Sequence, residues 1–494
     1  MRDFRGPRTG WLSHSPLVRA RRKRRKPHGG AVWGSGASSA RLWLMTIGPG
    51  TGSTNVQTAK DRIEFGKHRR SLVSRMTHCD LRPKERKFEP IELLLSSAEG
   101  RLPQLLPLKY FRMSSSPFAF FRGAVSIMAA DLARLPHSGL HAQLCGDAHV
   151  QNLGSFAAPD GKLIFDLNDF DETIRGPWEW DVKRMATSII LAGREAKQSR
   201  TIRRAAAEAF TESYFRSTAQ FARQPLLEVA RHLIHREQRV RPIHAALRQS
   251  ERVTPLALLN KYTQVGAKGR RRFQSERPMF WRVTGQEAKD VLSSLKGYRH
   301  GLSPERKHLF DLFRPLDVGF KVVGTGSVGL RDYVVLFEGN GAKDSLFLQI
   351  KQEVNSAYAR YLPSPAYKNQ GRRVAEGQRA IQPVSDLFLG WTAFGEHQYL
   401  VRQLSDHKGS IDLGTLRGGG LESLAVVAGE LLARGHARSG DACMIYGYAG
   451  NGLKLAKAIR DFASEYADQT EADYAKFMTA IKSKKIRLAS ARAT

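Results

Sequence analysis

The spacing of apolar residues changes along the chain and divides it into stretches of different predicted structure. Short apolar runs at residues 140–144, 153–156 and 163–165 predict strands, and Asp160-Gly161 between the last two predicts a hairpin turn. Residues 118–135 predict one buried helix. From residue 182 to about 313, apolar residues recur every three or four positions, which predicts long amphipathic helices.

A second strand-rich region begins at Val318. Apolar runs around residues 320, 333–337 and 346–351 predict three successive strands. A helix is predicted over 374–381, and two more strands over 388–391 and 397–404. The remaining third is predicted to be helical again, notably over 421–434.

The length of 494 residues exceeds the size at which one hydrophobic core usually stops growing, so two lobes are expected. We predict an α+β protein with a helical large lobe over 59–316, a small antiparallel β lobe over 317–408, and helices over 409–494 that complete the large lobe. The segment 1–58 shows no periodicity, and its first 30 residues hold ten Lys and Arg against one Asp. We interpret it as a disordered basic extension, or as sequence upstream of a start at Met45 or Met76.

The formal net charge of +33 favours anionic partners such as nucleotides, nucleic acid or acidic lipid head groups without choosing among them. Nucleic-acid binding by the basic extension is an open alternative, but a solvated run of charge is the favoured interpretation. Three scattered cysteines, Cys79, Cys145 and Cys443, predict neither a disulfide framework nor a zinc site. No apolar run has the length of a membrane span, so no membrane partner and a cytoplasmic location are expected.

Candidate chemistry is concentrated around the first hairpin. Asp147 is followed five positions later by Asn152, and beyond the hairpin come Asp166 and Asp169. Loop Asp and Asn residues often make only local turn hydrogen bonds, which is the alternative for each residue alone. Several carboxylates within a few residues need a nearby cation, because like charges raise one another's pKa.

A second candidate set lies in the later strand region. Gly324, Gly326 and Gly329 form a glycine-rich turn between two predicted strands, where backbone amides could reach phosphate oxygens. Lys351 ends the third strand of this region and Glu376 lies on the following helix. A plain glycine-rich hairpin and an edge-strand lysine are the alternatives.

These two sets together resemble the protein-kinase-like and aminoglycoside-phosphotransferase-like superfamily, with the two lobes in circularly permuted order. The resemblance implies Asp147 as the catalytic base, with His149 mainly holding the loop in shape. It implies Asn152 and either Asp169, which we favour, or Asp166 as Mg²⁺ ligands, with Asp171 and Glu172 adding to the acidic cluster. The three glycines, Lys351 and its helix partner Glu376, with Glu353 as a rival partner, would bind ATP. The helix that ends in residues 431–440 resembles the one that enters the catalytic loop of such enzymes.

Four sequence blocks resemble a bacterial family of uncharacterised proteins, DUF2252. The blocks cover residues 116–123, 145–149, 165–172 and 176–181, and the resemblance extends over roughly 60–470. Within the last block, Asp181 is predicted to anchor the loop by accepting backbone or Arg hydrogen bonds, with Trp178 and Trp180 in the core. The family implies no established activity.

The sequence therefore predicts an ATP- and Mg²⁺-dependent phosphotransferase that acts on a hydroxyl of an unidentified small molecule. Arg112, Arg122 and Arg402 are candidate phosphate or substrate contacts. Two alternatives stay open. One is a protein adenylyltransferase that uses the same nucleotide site, and the other is a non-catalytic nucleotide-binding or nucleic-acid-associated scaffold.

Overall fold

The computed structural model describes residues 57–233, 240–266, 271–363, 367–404 and 409–489. The described residues belong to one compact unit that begins at Gln57. The predicted basic extension therefore lies outside the described residues except for its last two positions. One of these, Thr58, caps the first helix, because its side chain accepts a hydrogen bond from the Asp61 amide at 3.2 Å while the Asp61 carboxylate accepts one from the Thr58 amide.

Helices make up most of the described chain. In chain order they are α1 (Ala59–Leu72), α2 (Pro90–Ser96), α3 (Leu106–Met113), α4 (Pro117–Gly123), α5 (Val125–Leu132), α6 (Glu179–Glu195), α7 (Arg200–Phe221), α8 (Leu226–Arg231), α9 (Arg241–Arg252), α10 (Pro255–Tyr262), α11 (Gly285–His300), α12 (Pro304–Asp311), α13 (Gln370–Ile381), α14 (Gly420–Ser439), α15 (Ala442–Ala449) and α16 (Leu453–Lys482). Among the described residues, none of these helices combines the length and the apolar character that crossing a membrane requires.

The strands all pair antiparallel. They are β1 (His141–Leu144), β2 (Leu153–Ala157), β3 (Leu163–Leu167), β4 (Ile174–Pro177), β5 (Thr263–Val265), β6 (Arg271–Phe273), β7 (Phe280–Val283), β8 (Arg314–Lys321), β9 (Asp332–Glu338), β10 (Ser345–Glu353), β11 (Gly390–Phe394), β12 (His397–Gln403) and β13 (Gly409–Ser410). The largest sheet has the order β11-β12-β10-β9-β8-β7, and a smaller one has the order β13-β2-β3. The predicted α+β class and the predicted hairpin β2–β3 are confirmed.

The described residues form four hydrophobic clusters, and the two largest belong to the helical part and to the six-stranded sheet. The larger one is helical and is centred on Trp178, which is fully buried and stacks on Tyr214 of α7. The predicted core roles of Trp178 and Trp180 are confirmed. The smaller core lies against the six-stranded sheet and includes Val335 of β9 and Tyr298 of α11.

The predicted lobe boundary at residue 316/317 falls within strand β8. β7 pairs with β8 at the edge of the six-stranded sheet, and residues of α11 and α12 pack in its core. This part of the chain was predicted to belong to the helical lobe, and it also contains β5 and β6. The three strands are only three or four residues long, too short for a period-two pattern to stand out from helical spacing.

The predicted single helix over 118–135 is also different. It is two helices, α4 and α5, because Ala124 between them has φ −118° and ψ 38° and interrupts the helical hydrogen bonding. The predicted helices at 374–381 and 421–434 are confirmed as the longer α13 and α14.

Candidate active site

A cavity of about 1220 Å³ lies where the first hairpin, the glycine-rich turn and α13 meet. Its lining brings together residues that are far apart in sequence. Among the predicted site residues it includes Asp147, His149, Asn152, Asp169, Gly324, Gly326 and Glu376. Gly329, Lys351 and Asp166 are outside this lining, although Gly329 and Lys351 line a small adjoining pocket beneath the glycine-rich turn.

The loop that carries Asp147 is held by buried contacts. Gly146 has φ +84°, and a Cβ at this position would lie 2.1 Å from the Glu172 carbonyl oxygen, so the close approach of the two loops requires glycine. The carboxylate of Asp181 on α6 accepts hydrogen bonds from the amides of Cys145 at 2.8 Å and Gly146 at 3.0 Å. The predicted anchoring role of Asp181 is therefore confirmed.

Asp147 lies at the cavity with an oriented carboxylate. The buried Arg184 guanidinium donates to its Oδ1, with the Nε–Oδ1 distance at 2.7 Å. Its Oδ2 lies 3.6 Å from Nε2 of His149, and the side chain is 18% exposed. One carboxylate oxygen is thus fixed by a positive charge, while the side chain stays accessible from the cavity.

His149 is buried beside this carboxylate. Burial lowers the pKa of His149 to about 3, so the imidazole is neutral at physiological pH. Its Nε2 is too distant from Asp147 for a good hydrogen bond, and its ring packs edge-on against Phe118. These contacts fit a residue that shapes the loop, as the sequence predicted.

Asn152 and Asp169 offer two oxygen ligands to the cavity. The side-chain amide of Asn152 donates to the Asp147 carbonyl oxygen at 2.8 Å, which leaves its own carbonyl oxygen as an acceptor. Burial and the neighbouring Asp171 raise the pKa of Asp169, and no cationic side chain among the described residues lies within 4.0 Å of its carboxylate. A buried carboxylate beside another carboxylate is stabilised by a bound cation, so this pair fits Mg²⁺.

The described residues contain no cluster of three or more His, Cys, Asp or Glu side chains that could hold a metal ion without help. Mg²⁺ is commonly bound through one or two carboxylates together with substrate phosphates and water. The small ligand set offered by Asn152 and Asp169 fits a metal of this kind and does not fit a permanent structural ion.

Asp166 is placed differently from Asp169. Its carboxylate points into the core and accepts a hydrogen bond from Nη2 of Arg434 on α14 at 2.6 Å, and both side chains are 1% exposed. Asp166, the alternative metal ligand of the sequence analysis, is thus held on β3 in a buried ion pair and lies outside the cavity lining.

Lys351 contacts Asp171 and not the predicted Glu376. Its ammonium is buried and forms an ion pair with Oδ2 of Asp171, which also accepts a hydrogen bond from the Ser327 hydroxyl at 2.9 Å. Burial favours the neutral form of Asp171, but the adjacent Lys351 outweighs burial and lowers the pKa of this carboxyl. Asp171 thereby connects β10, the glycine-rich turn and the acidic loop.

The predicted pair between Lys351 and Glu376 is wrong in this structure. Glu376 forms an ion pair with Arg372 one helical turn earlier, at 2.7 Å. The residue of α13 that faces the acidic loop is Arg373, which is 2% exposed and donates to the carbonyl oxygens of Asp171 and Val354, each at 2.8 Å. Glu353 is not the partner either, since no ion pair joins it to Lys351 among the described residues.

The glycine-rich turn between β8 and β9 has unused backbone donors. Gly324 has φ +66°, in the left-handed region that favours glycine. Within the described part of the chain, no amide from Gly324 to Ser327 donates a hydrogen bond. The carbonyl oxygens of the same turn are instead held by cations, among them Arg112 at Gly324 and Arg101 at Val328.

Sequence reasoning missed two basic residues at this turn, Arg101 and Lys109, and the pairing partner Arg184. Each lies in a helical or irregular stretch, with Arg184 directly after Lys183, and nothing in its local pattern separates it from a solvated surface residue. The predicted Arg112 and Arg122 do line or adjoin the cavity. The third candidate, Arg402, donates to the side-chain oxygen of Gln349 at 2.8 Å.

The chain matches a known protein family. No curated protein and no solved structure matches the chain. The family model described as an uncharacterised protein conserved in bacteria, DUF2252, matches residues 101–480, which covers the hairpin, the cavity and most of the helical core. The chain belongs to this bacterial family.

Proposed function

We propose that the protein is an ATP- and Mg²⁺-dependent phosphotransferase that acts on a hydroxyl of a small molecule. The observation that carries the proposal is the ion pair of Lys351 with Asp171 at the edge of the cavity that also receives Asp147, Asn152 and Asp169. Strand β10 thus contacts an acidic loop that lies about 180 residues earlier in the chain. A nucleotide site between two lobes requires such a contact.

We further propose a kinase-like bilobal fold in circularly permuted order. The end of α14 supports this order, because it lies beside β1 although about 300 positions separate them. The Gln143 amide donates to Oγ of Ser439 at 3.2 Å, and the Arg175 guanidinium donates to the Ser439 carbonyl oxygen at 2.9 Å. Joining α14 directly to β1 would restore the order in which a large-lobe helix enters the catalytic loop.

The nucleotide phosphates would bind between the glycine-rich turn and Lys351. The amides from Gly324 to Ser327, which donate no hydrogen bond within the described residues, support this proposal, since such groups donate to phosphate oxygens without competition from a side chain. Lys351 would move its charge from Asp171 toward the phosphates when the nucleotide binds. Asp171 would then remain held by the Ser327 hydroxyl.

Asp147 would act as the general base. In the transfer step the acceptor oxygen forms a bond to the γ-phosphorus, the bond from that phosphorus to the β-bridging oxygen breaks, and the hydroxyl proton passes to Asp147. Arg184 fixes the orientation of this carboxylate. A bound Mg²⁺, held by Asp169 and Asn152, would neutralise the charge on the phosphate oxygens.

The test is Mg²⁺-dependent turnover of γ-labelled and α-labelled ATP across a panel of metabolites. Label transfer from the γ position supports phosphorylation, transfer from the α position supports adenylylation, and no transfer with either label contradicts catalysis. The Asp147→Asn variant is expected to lose about 10²–10⁴-fold in rate, as removal of a general base does, while still binding nucleotide.

A matched control is Asp160→Asn in the exposed hairpin turn, which should keep full activity because its carboxylate contacts only the neighbouring Lys162. Lys351→Met should weaken nucleotide binding. Full activity in Asp147→Asn would show that the base is assigned to the wrong residue.

A further inference from the structure

Lys109 on α3 is a buried lysine at the cavity, and none of the described carboxylates pairs with it. It is 1% exposed and lines the cavity beneath the glycine-rich turn. The closest acceptors of its ammonium are the carbonyl oxygens of Gly326 at 3.3 Å, Gly123 at 3.4 Å and Thr325 at 3.5 Å, all longer than an ordinary N–H···O hydrogen bond. Among the described residues, no carboxylate oxygen lies within 4.0 Å of it.

Arg122 on α4 lines the same cavity and also has no ion-pair partner among the described residues. Its Nε is buried without a hydrogen-bond partner, and no ion pair within the described ranges involves its guanidinium. Asp147, Glu195 and Asp169 act on it only at longer range. The unpaired Arg122 therefore lies near the two carboxylates assigned to proton transfer and metal binding.

The other buried cations of the site have partners. Arg184 pairs with Asp147, Lys351 pairs with Asp171, and Arg373 donates to backbone carbonyl oxygens at short distances. Burial lowers the pKa of Lys109 well below its ordinary value, which expresses the unfavourable free energy of a charged amine without a counter-charge. Because Lys109 and Arg122 line one cavity, an anion bound there would compensate both charges.

We propose that Lys109 and Arg122 form an oxyanion subsite of the cavity that binds a phosphoryl group. Two cations match the dianionic charge of this group, and its three oxygens can accept hydrogen bonds from both side chains. The group is either the terminal phosphate of the nucleotide or a phosphate carried by the acceptor. The role of this subsite in turnover rests on the proposed phosphotransferase function, but its binding of an anion does not depend on that function.

The experiment is calorimetric titration of the full chain with three probes: AMP-PNP, ADP and inorganic phosphate. The variants are Lys109→Met and Arg122→Met. If the nucleotide supplies the phosphoryl group, both variants lose about tenfold or more in affinity for AMP-PNP and keep their affinity for ADP, because each loses a charge-assisted contact to the terminal phosphate. If the acceptor supplies it, both keep their nucleotide affinities and lose about tenfold or more for inorganic phosphate added to the ADP complex.

The matched control is Lys183→Met. Lys183 on α6 is as buried as Lys109, but its ammonium lies over the Phe462 ring at 4.3 Å and outside the cavity lining. Its loss should leave all three affinities unchanged. Wild-type affinities for every probe in both Lys109→Met and Arg122→Met would overturn the subsite.

Thermal melting separates ligand binding from a purely structural role. A lysine that only braced the glycine-rich turn would lower the melting temperature when replaced, whereas Lys109→Met removes a buried unpaired charge and should melt at or above the wild-type temperature. A lower melting temperature with unchanged affinities would overturn the proposal. If Lys109→Met does not fold, Arg122→Met gives the affinity result independently.

The two proposals can fail separately. A wild-type chain that binds nucleotide, with variants that bind all probes equally well, contradicts the subsite and leaves the phosphotransferase function standing. A wild-type chain that binds phosphate through Lys109 and Arg122 but no nucleotide contradicts the function and leaves the subsite standing. A wild-type chain that binds none of the probes contradicts both.

Discussion

Asp166 and Asp169 lie three positions apart, and their replacement should have opposite consequences. Asp166→Asn leaves the fully buried Arg434 guanidinium without its counter-charge. Loss of one partner of a buried ion pair destabilises a protein by about 3–5 kcal/mol. With an unfolding entropy of about 0.9 kcal/mol/K for a compact unit of this size, the melting temperature should fall by about 3–5 °C.

Asp169→Asn should not reduce stability. Burial and Asp171 raise the pKa of Asp169, so at neutral pH the ionised form makes an unfavourable contribution in the folded state that the amide removes. Its melting temperature should equal or exceed that of the wild type. Phosphate transfer from γ-labelled ATP should fall steeply, because the variant offers no carboxylate to Mg²⁺.

Scanning fluorimetry and the label-transfer assay on both variants test this contrast. A second control is the double variant Asp166→Asn/Arg434→Met, which removes both charges and should recover most of the stability that Asp166→Asn loses. The assignment of Asp166 to the ion pair and Asp169 to the metal would be contradicted if Asp166→Asn melted like the wild type but lost activity, while Asp169→Asn stayed fully active.

Three further predictions concern the loop that carries Asp147. Gly146→Ala should abolish transfer, because its Cβ would lie 2.1 Å from the Glu172 carbonyl oxygen; near-wild-type kcat would contradict the required approach. Asp181→Ala removes the acceptor of two loop amides. Because hydrogen bonds to charged groups each stabilise a fold by about 1.5–3 kcal/mol, the free energy of unfolding in urea should fall by about 2 kcal/mol or more. An unchanged unfolding midpoint would contradict the anchoring role. Burial lowers the pKa of His149 to about 3, so below about pH 6.5 this residue takes up a proton in the unfolded chain but not in the folded one, and the folded state loses stability. His149→Gln should therefore reduce the loss of folding free energy between pH 7 and pH 5 by about 2 kcal/mol. An unchanged loss would contradict a buried neutral imidazole.

Local elements of this protein could be predicted from the sequence because their signals are local. Strand-like runs around Asp160-Gly161 predicted the hairpin, and the structure has its turn there, with Gly161 at φ +79°. Asp181 was predicted to accept loop hydrogen bonds, and its carboxylate does so from the amides of Cys145 and Gly146. The short strand β7 could not be predicted, since four residues carry too little periodicity.

Side-chain pairing across the fold was not predictable in the same way. The local pattern placed Glu376 on a helix after Lys351, but the packing of α13 decides which side chain faces the site, and that residue is Arg373. The choice between Asp166 and Asp169 depended on where α14 places Arg434, nearly 270 residues later in the chain. Such contacts depend on tertiary packing, which spacing along one strand or helix does not encode.

The most direct test of the proposed nucleotide site is a crystal structure of the chain with AMP-PNP and Mg²⁺. We predict one triphosphate bound between the glycine-rich turn and the acidic loops, with Lys351 at its phosphates. The metal should be ligated by the carboxylate of Asp169 and the side-chain oxygen of Asn152. A nucleotide bound elsewhere, or one in this cavity that contacts neither Lys351 nor a metal on Asp169, would contradict it.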